Sequence, residues 1–136
     1  MPVSFNSLKP GNEYSRNELA RTWGYKSFHA IARGVVTPQA DNKILIFITE
    51  EKQSSARQYQ DKLDGNVLKT EGPDDHFAEE RIANATSAGE EIHIFHRKRH
   101  HTDFTYLGKA TLGKLERRAK APSYFEYTLS SLASAA

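Results

Sequence analysis

The sequence has no cysteine, so disulfide bonds, thiolate metal sites and a cysteine nucleophile are excluded. No apolar run approaches the roughly 20 residues that a membrane-spanning helix needs. Residues 1–6 lack the basic and apolar regions of a signal peptide. A Gly-rich phosphate loop, a nucleophile elbow and an HExxH helix are missing too. These absences predict a cytoplasmic protein without a membrane partner, and they favour a binding module over an enzyme.

The apolar residues that are present suffice for one folded domain. Of the 136 residues, 38% are hydrophobic, and seven Phe, six Tyr and one Trp supply large core side chains. A chain of this length buries roughly two thirds of its unfolded surface, and no internal repeat or linker divides it. We therefore expect a single domain over residues 1–130 and a frayed tail of small residues at 131–136.

The charge is unevenly distributed, although the net charge is only +2. Residues 96–120 carry eight Lys or Arg against two acidic residues, whereas residues 71–91 carry seven acidic residues against Arg81. A basic segment of this kind predicts a polyanionic partner. The alternatives are a solvated surface and an interaction domain whose basic segment meets an acidic protein.

Two short helices are predicted early in the chain. Ser15 and Glu18 fit a capping box ahead of a helix that runs to about Trp23. A second helix would begin at Ser27 and end at Gly34. The residues expected on one of its faces are Phe28, Ile31 and Ala32. Because this second helix would be so short, a DNA-reading helix-turn-helix is disfavoured.

Several segments have the branched and aromatic composition of strands. Residues 43–49 are almost continuously apolar, which predicts a strand buried on both faces and central in its sheet. Residues 57–63 alternate in polarity and predict a more exposed strand, ended by a turn at 64–66. Three consecutive antiparallel strands are expected over residues 92–97, 104–115 and 124–129.

Residues 77–88 have the apolar spacing of the best helix in the chain, with Gly89 as its C-cap. Together the elements predict an α+β fold with two or three short helices. The late strands favour a small, curled, mostly antiparallel sheet or a small β-barrel.

Two groups of polar residues raise the question of metal chemistry. His93 and His96 belong to a histidine cluster, but on a strand they would point to opposite faces, and the basic residues beside them would repel a dication. Asp41, Glu50 and Lys52 loosely match the pattern of magnesium-dependent nucleases. We expect no metal and no cofactor, and we keep a small metal-dependent nuclease as an alternative.

A protein that reads single bases needs an aromatic surface for stacking, a carboxylate or amide for the Watson–Crick edge, and cations for the backbone. Aromatic residues interleaved with polar ones supply the first two, although most of them would also suit a core. The candidates for the pocket are Trp23, Tyr25, Tyr59 and Asp61. The residues expected to contact phosphates are Arg97, Lys98, Arg99, His100 and Lys109.

A series of short motifs runs in order along residues 14–129. They are Tyr14-Ser15-Arg16-Asn17-Glu18-Leu19 before Gly24-Tyr25, Gly34-Val35, Ile46-Phe47-Ile48-Thr49 followed by Lys52, Tyr59-Gln60-Asp61, Glu71-Gly72 with His76, Ile92-His93-Ile94-Phe95-His96-Arg97, Phe104-Thr105-Tyr106-Leu107-Gly108 and Pro122-Ser123-Tyr124-Phe125. With these motifs in this order, the chain resembles a bacterial domain found C-terminal to DEAD-like restriction helicases and beside HNH nucleases.

The resemblance implies a PUA-like nucleic-acid-binding fold, whose relatives bind modified bases in DNA or RNA and often flip the base into a pocket. It predicts a DNA-binding specificity domain of a bacterial restriction or phage-defence system. The partner would be DNA, together with a separate nuclease or helicase effector. Cleavage is then expected elsewhere, so no catalytic residue is assigned to this chain. An RNA-binding PUA-like module is the alternative.

Overall fold

The computed structural model describes residues 8–32, 34–38, 41–50, 62–72, 77–99, 102–118 and 122–129. Within these ranges the strands are β1 (Glu13–Tyr14), β2 (Val35–Val36), β3 (Lys43–Thr49), β4 (Lys62–Asp64), β5 (Val67–Glu71), β6 (Glu91–Arg97), β7 (Phe104–Glu116) and β8 (Tyr124–Leu129). The helices are α1 (Arg16–Thr22), a 3₁₀ turn (Phe28–Ile31), α2 (Glu79–Ala83) and α3 (Ala85–Ala88). No helix in the described part of the chain is long and apolar enough to cross a membrane. The predicted α+β class is confirmed.

The strands form one sheet in the order β2-β3-β6-β7-β8-β5-β4, with β1 beside β7. The pair β3 and β6 is parallel, whereas β6, β7 and β8 pair consecutively and antiparallel, as predicted. The prediction that residues 43–49 form the central strand is wrong, since β3 is second in the order. The 13-residue β7 lies in the middle because it pairs with β6, β8 and β1.

The sheet is open within the described ranges, because β2 and β4 stand at its two ends. The alternative of a closed β-barrel is therefore wrong. The prediction of a mostly antiparallel sheet is confirmed, since β3 and β6 form the parallel pair and the other described pairs are antiparallel. The register shifts between Ile94 and Phe95 on β6, and again between Leu112 and Lys114 on β7. Such bulges bend a strand and increase its twist, so the sheet can curve without closing.

The sheet separates two apolar cores, which we call the α1 core and the α2 core after the helices that cover them. On β3, Ile44, Ile46 and Ile48 enter the α2 core, and Leu45 and Phe47 enter the α1 core. This alternation confirms that the strand is buried on both faces. Full burial of one such side chain contributes about 1.5–3 kcal/mol relative to exposure, so both faces hold β3 in place.

The capping box at the start of α1 forms as the sequence predicts. The Glu18 backbone N–H donates to Ser15 Oγ over 3.0 Å, and the Ser15 N–H donates to Glu18 Oε1 over 3.1 Å. The helix ends at its cap residue Trp23, followed by Gly24 at φ 81°. The segment after Ser27 is a single 3₁₀ turn, in which Ile31 is buried.

Four further predictions have mixed outcomes. Phe28 and Ile31 do not share a buried face, because Phe28 and Ala32 are exposed. Residues 64–66 form the predicted turn, with Gly65 at φ 62°. The predicted strand at 57–63 is described only from residue 62, and the predicted tail at 131–136 lies outside the described residues.

The helix predicted over residues 77–88 is interrupted at Asn84. This residue adopts φ −101° and ψ 6°, and its side-chain amide donates to the Glu80 backbone oxygen over 3.0 Å. An asparagine side chain that bonds the backbone locally competes with regular helix geometry. The result is two helices of five and four residues, α2 and α3, so that seven-residue α1 is longer than either. Gly89 caps α3 at φ 73°, as predicted.

Replacing Ser15 with Ala should lower the free energy of unfolding by about 1 kcal/mol, because the capping box loses its side-chain acceptor. Urea denaturation measures the change. The control is Asn17→Ala at the next exposed position of α1, expected to change stability by less than about 0.5 kcal/mol. Equal losses in the two variants would contradict a stabilising role for the cap.

Candidate nucleic-acid interface

An open cleft of about 410 Å³ lies between the start of α1, the 3₁₀ turn and the segment that joins β6 to β7. We call it the arginine cleft. The lining residues with the most distinctive chemistry are Arg16, Asn17, Phe28, Arg97, Asp103 and Phe104. Its volume falls within the range of roughly 300–1,000 Å³ typical of ligand sites.

Stacking on two rings and a bond to the backbone hold Arg16 in the cleft. Its guanidinium carbon lies 4.7 Å from the Phe47 ring centre and 4.9 Å from the Phe104 ring centre. Its Nε donates to the Ile31 backbone oxygen over 3.0 Å. Burial, reinforced by the nearby charge of Arg97, lowers the pKa of Arg16 to about 10. The group still carries its positive charge at neutral pH.

Arg97 stacks on the same Phe104 ring, with its guanidinium carbon 4.2 Å from the ring centre. Its Nε donates to Thr49 Oγ1 over 2.8 Å, and its Nη1 donates to the Thr102 backbone oxygen over 3.0 Å. These acceptors are neutral, so they orient the cation without cancelling its charge. Partial burial lowers the pKa of Arg97.

The rim of the arginine cleft adds an aromatic surface and more charge. Phe28 is the large apolar side chain that stays exposed in the described part of the chain, at 36%. Its ring lies against the His29 ring, with 4.3 Å between the ring centres and an angle of 31° between the ring planes. Lys98 and Arg99 follow Arg97 directly and are exposed, so we call residues 97–99 the basic turn.

The predicted site residues do not all meet at this cleft. Trp23 is only 3% exposed and packs edge-to-face on Phe95 in the α1 core. Tyr25 is half-buried against the same core, and burial together with the charge of Asp41 raises its pKa. Burial fits the core role that the composition also allowed for these two residues.

Lys109 is separated from the basic turn by the length of β6. It pairs with His93 across β6 and β7, and its Nζ lies 3.6 Å from Glu91 Oε2 at the start of β6. Its side chain is 58% exposed.

The predicted residues Tyr59, Asp61 and His100 lie outside the described residues, so their roles stay predictions.

The arginine cleft includes residues that the sequence reasoning did not select. Arg16 and Asn17 were named only within the first motif of the series, between the capping-box residues, and Phe28 only as a helix-face residue. Asp103 counted as one acidic residue within a basic segment. Exposure of Phe28 and the approach of Arg16 to Arg97 depend on tertiary packing, which no local pattern encodes.

The histidines of β6 make structural hydrogen bonds within the described ranges. His93 is 1% exposed, with Nδ1 2.6 Å from the Tyr106 hydroxyl and Nε2 2.9 Å from Glu91 Oε1. Because the carboxylate accepts from Nε2–H, Nδ1 of the neutral ring accepts a hydrogen bond that the Tyr106 hydroxyl donates. His96 Nε2 lies 2.6 Å from Glu50 Oε2.

The nuclease pattern is not assembled in the described residues. Asp41 and Glu50 flank opposite ends of β3, a seven-residue strand that spans about 23 Å at 3.3 Å per residue. The Asp41 carboxylate contacts Lys43 Nζ at 3.3 Å, whereas Glu50 is bonded to His96. Two carboxylates so far apart cannot share one magnesium ion. Lys52 lies outside the described residues.

The class of fold is that of SRA domains, which are PUA-like, as the sequence resemblance implied. Over 97% of this chain and 96% of theirs, the fold matches two structures of the SUVH5 SRA domain. The complex with hemi-methylated CG DNA gives a TM-score of 0.66 at 13% identity. The complex with fully methylated CG DNA gives 0.60 at 12% identity.

Within this class, the chain belongs to the family described as "Domain of unknown function (DUF3427)", whose model matches residues 8–128. No curated protein sequence matches the chain.

The buried His93 should make stability depend on pH. Burial lowers the pKa of His93 in the folded protein, whereas the unfolded side chain takes up a proton near pH 6.5. The stability contributed by His93 is therefore present above pH 6.5 and is lost as the pH falls below that value. Urea denaturation of wild type and His93→Gln at pH 8, 7, 6 and 5 should show a stability difference that narrows toward pH 5. A difference independent of pH would contradict this assignment.

Proposed function

We propose that this protein is a DNA-binding module that distinguishes modified from unmodified bases. The observation that carries the proposal is the arginine cleft beside the basic turn, on a fold whose solved neighbours are complexes with methylated CG DNA. Two oriented guanidinium groups and an exposed aromatic ring offer contacts to a phosphate backbone and to a base.

Phosphate contacts are assigned first to the basic turn. Lys98 and Arg99 are exposed and extend from the end of β6, where Thr49 and Thr102 hold Arg97 in place. Such contacts position a protein on DNA but carry no sequence information. Discrimination between bases therefore needs a second element. Tyr59 and Asp61 stay our predicted candidates for that element.

We place this module in a bacterial restriction or phage-defence system, where it would supply specificity to a separate nuclease or helicase effector. The support is the series of short motifs, which follow one another along the chain as they do in domains that accompany such enzymes. A specificity module fits the described residues, since Asp41 and Glu50 are too far apart to form a nuclease centre.

Fluorescence anisotropy tests the central proposal with one duplex that carries cytosine, 5-methylcytosine, 5-hydroxymethylcytosine or glucosylated hydroxymethylcytosine. We expect at least tenfold tighter binding to one modified duplex, or about 1.4 kcal/mol. Matched RNA serves as the competitor. Preference for the RNA would replace the proposal with an RNA-binding module, and equal affinity for all four duplexes would overturn base reading.

The basic turn should govern the salt dependence of binding. Each phosphate contact on duplex DNA contributes about −0.9 to the slope of log affinity against log salt concentration. The double variant Lys98→Gln/Arg99→Gln should therefore flatten the slope by about 1.8 and weaken binding to all duplexes alike.

The matched control for the basic turn is Lys114→Gln/Arg117→Gln. These two exposed cations lie near the far end of β7, away from the basic turn. The control removes the same net charge, so a purely long-range effect of charge would flatten both slopes equally. That outcome would contradict direct phosphate contacts at the basic turn.

A further inference from the structure

The Arg97 side chain links the end of β3 to the segment that follows β6. Its Nε donates to Thr49 Oγ1 over 2.8 Å, and its Nη1 donates to the Thr102 backbone oxygen over 3.0 Å. The Thr102 hydroxyl in turn donates to the Arg99 backbone oxygen over 2.7 Å. We call these three hydrogen bonds the Arg97 bridge. Because Arg99 belongs to the basic turn, the bridge connects β3 to the residues assigned to phosphate contacts.

The ends of β3 and β6 are paired without the Thr49 hydroxyl. Thr49 lies opposite Arg97 in the parallel register, and the next backbone N–H, that of Glu50, donates to the Arg97 backbone oxygen over 3.0 Å. The neighbouring side chains also meet, with His96 Nε2 2.6 Å from Glu50 Oε2. The Thr49 hydroxyl therefore determines where the Arg97 guanidinium lies, whereas the backbone determines how the strands pair.

A hydroxyl group suits this position because it is a neutral acceptor. A carboxylate would form an ion pair with Arg97, and an apolar side chain would leave the Nε–H without this acceptor. The Phe104 ring centre lies 4.2 Å from the guanidinium carbon, so the ring covers one face of the same group. A segment that is held in its binding geometry before association loses less entropy on binding.

We propose that Thr49 is a positioning residue of the nucleic-acid interface, which acts through the Arg97 bridge to order the basic turn. The inference rests on the proposed function for its ligand, the phosphate backbone of DNA, whereas the order of the turn is measured in the protein alone. Lys98 and Arg99 supply the charge that contacts phosphates. Thr49 supplies the order that lets the two side chains act together.

Limited proteolysis with trypsin measures the order of the basic turn without any ligand. Trypsin cleaves after Lys and Arg, so the bonds that follow Lys98 and Arg99 report on this turn. Thr49→Val keeps a branched side chain that suits a strand but removes the acceptor. Cleavage at these bonds should be about fivefold faster than in wild type, because the loss of one hydrogen bond shifts a local opening equilibrium by about this factor. Thr49→Ser retains the hydroxyl and should be cleaved at the wild-type rate.

Thr111→Val is the matched control for the loss of a threonine hydroxyl. Thr111 is an exposed residue of β7, where it pairs with Thr128 on β8, and its replacement should leave cleavage at the basic turn unchanged. Cleavage after the exposed Arg117 is the internal reference. If Thr49→Val accelerated cleavage equally at Arg117 and at the basic turn, the loss would be one of general stability, and the positioning role would be overturned. Cleavage of Thr49→Val at the wild-type rate would overturn it as well.

Fluorescence anisotropy with a duplex connects the order of the turn to affinity. Thr49→Val should weaken binding by about fivefold and leave the salt slope unchanged, since every cation is retained. In combination with Arg97→Gln it should cause no further loss, because its effect passes through Arg97. Wild-type affinity in Thr49→Val, a flattened salt slope or a further loss on top of Arg97→Gln would each overturn the inference.

The two assays separate this inference from the proposed function. A wild-type protein that binds no duplex would refute the proposed function, and the trypsin assay would still decide whether Thr49 orders the basic turn. Faster cleavage of Thr49→Val combined with wild-type duplex affinity would refute the positioning role alone.

Discussion

The parallel pairing of β3 with β6 is the constraint on which the rest of the molecule depends. Seven residues of each strand align in one register, from Lys43 opposite Glu91 to Thr49 opposite Arg97. Because the interior of both strands is buried on both faces, a shift by one residue would exchange the α1 core with the α2 core. The same register brings Arg97 to Thr49, and so it also sets the position of the basic turn and of one wall of the arginine cleft.

Local patterns in the sequence predicted those elements that local physics determines. The apolar run at 43–49, the capping box at Ser15 and the three late strands all depend on neighbouring residues, and each was found. The order of strands depends on contacts between distant segments, which explains why β3 was wrongly placed at the centre. The prediction of one helix over 77–88 was wrong for a different reason. The spacing of apolar residues gives no information on the hydrogen bond from the Asn84 side chain to the Glu80 backbone oxygen.

The sequence predicted the positive charge of the candidate site but not which residues line it. Arg97, Lys98 and Arg99 were evident because basic residues cluster in the sequence. Arg16 was hidden, since it precedes Arg97 by 81 positions in the sequence, and the packing of α1 on the sheet brings the two together. Trp23 shows a second limit of the sequence pattern. An aromatic residue beside polar neighbours has the same local sequence whether it lines a pocket or belongs to a core, and Trp23 belongs to the α1 core.

The parallel pair also has a consequence for biosynthesis. Thr49 and Arg97 are 48 residues apart in the chain, so the apolar β3 emerges from the ribosome before its partner β6. Until β6 emerges, the nascent chain carries an unpaired strand edge of the kind that recruits other chains. Because such non-local pairing is slow to form, the exposed edge of β3 leaves the protein open to aggregation during this interval.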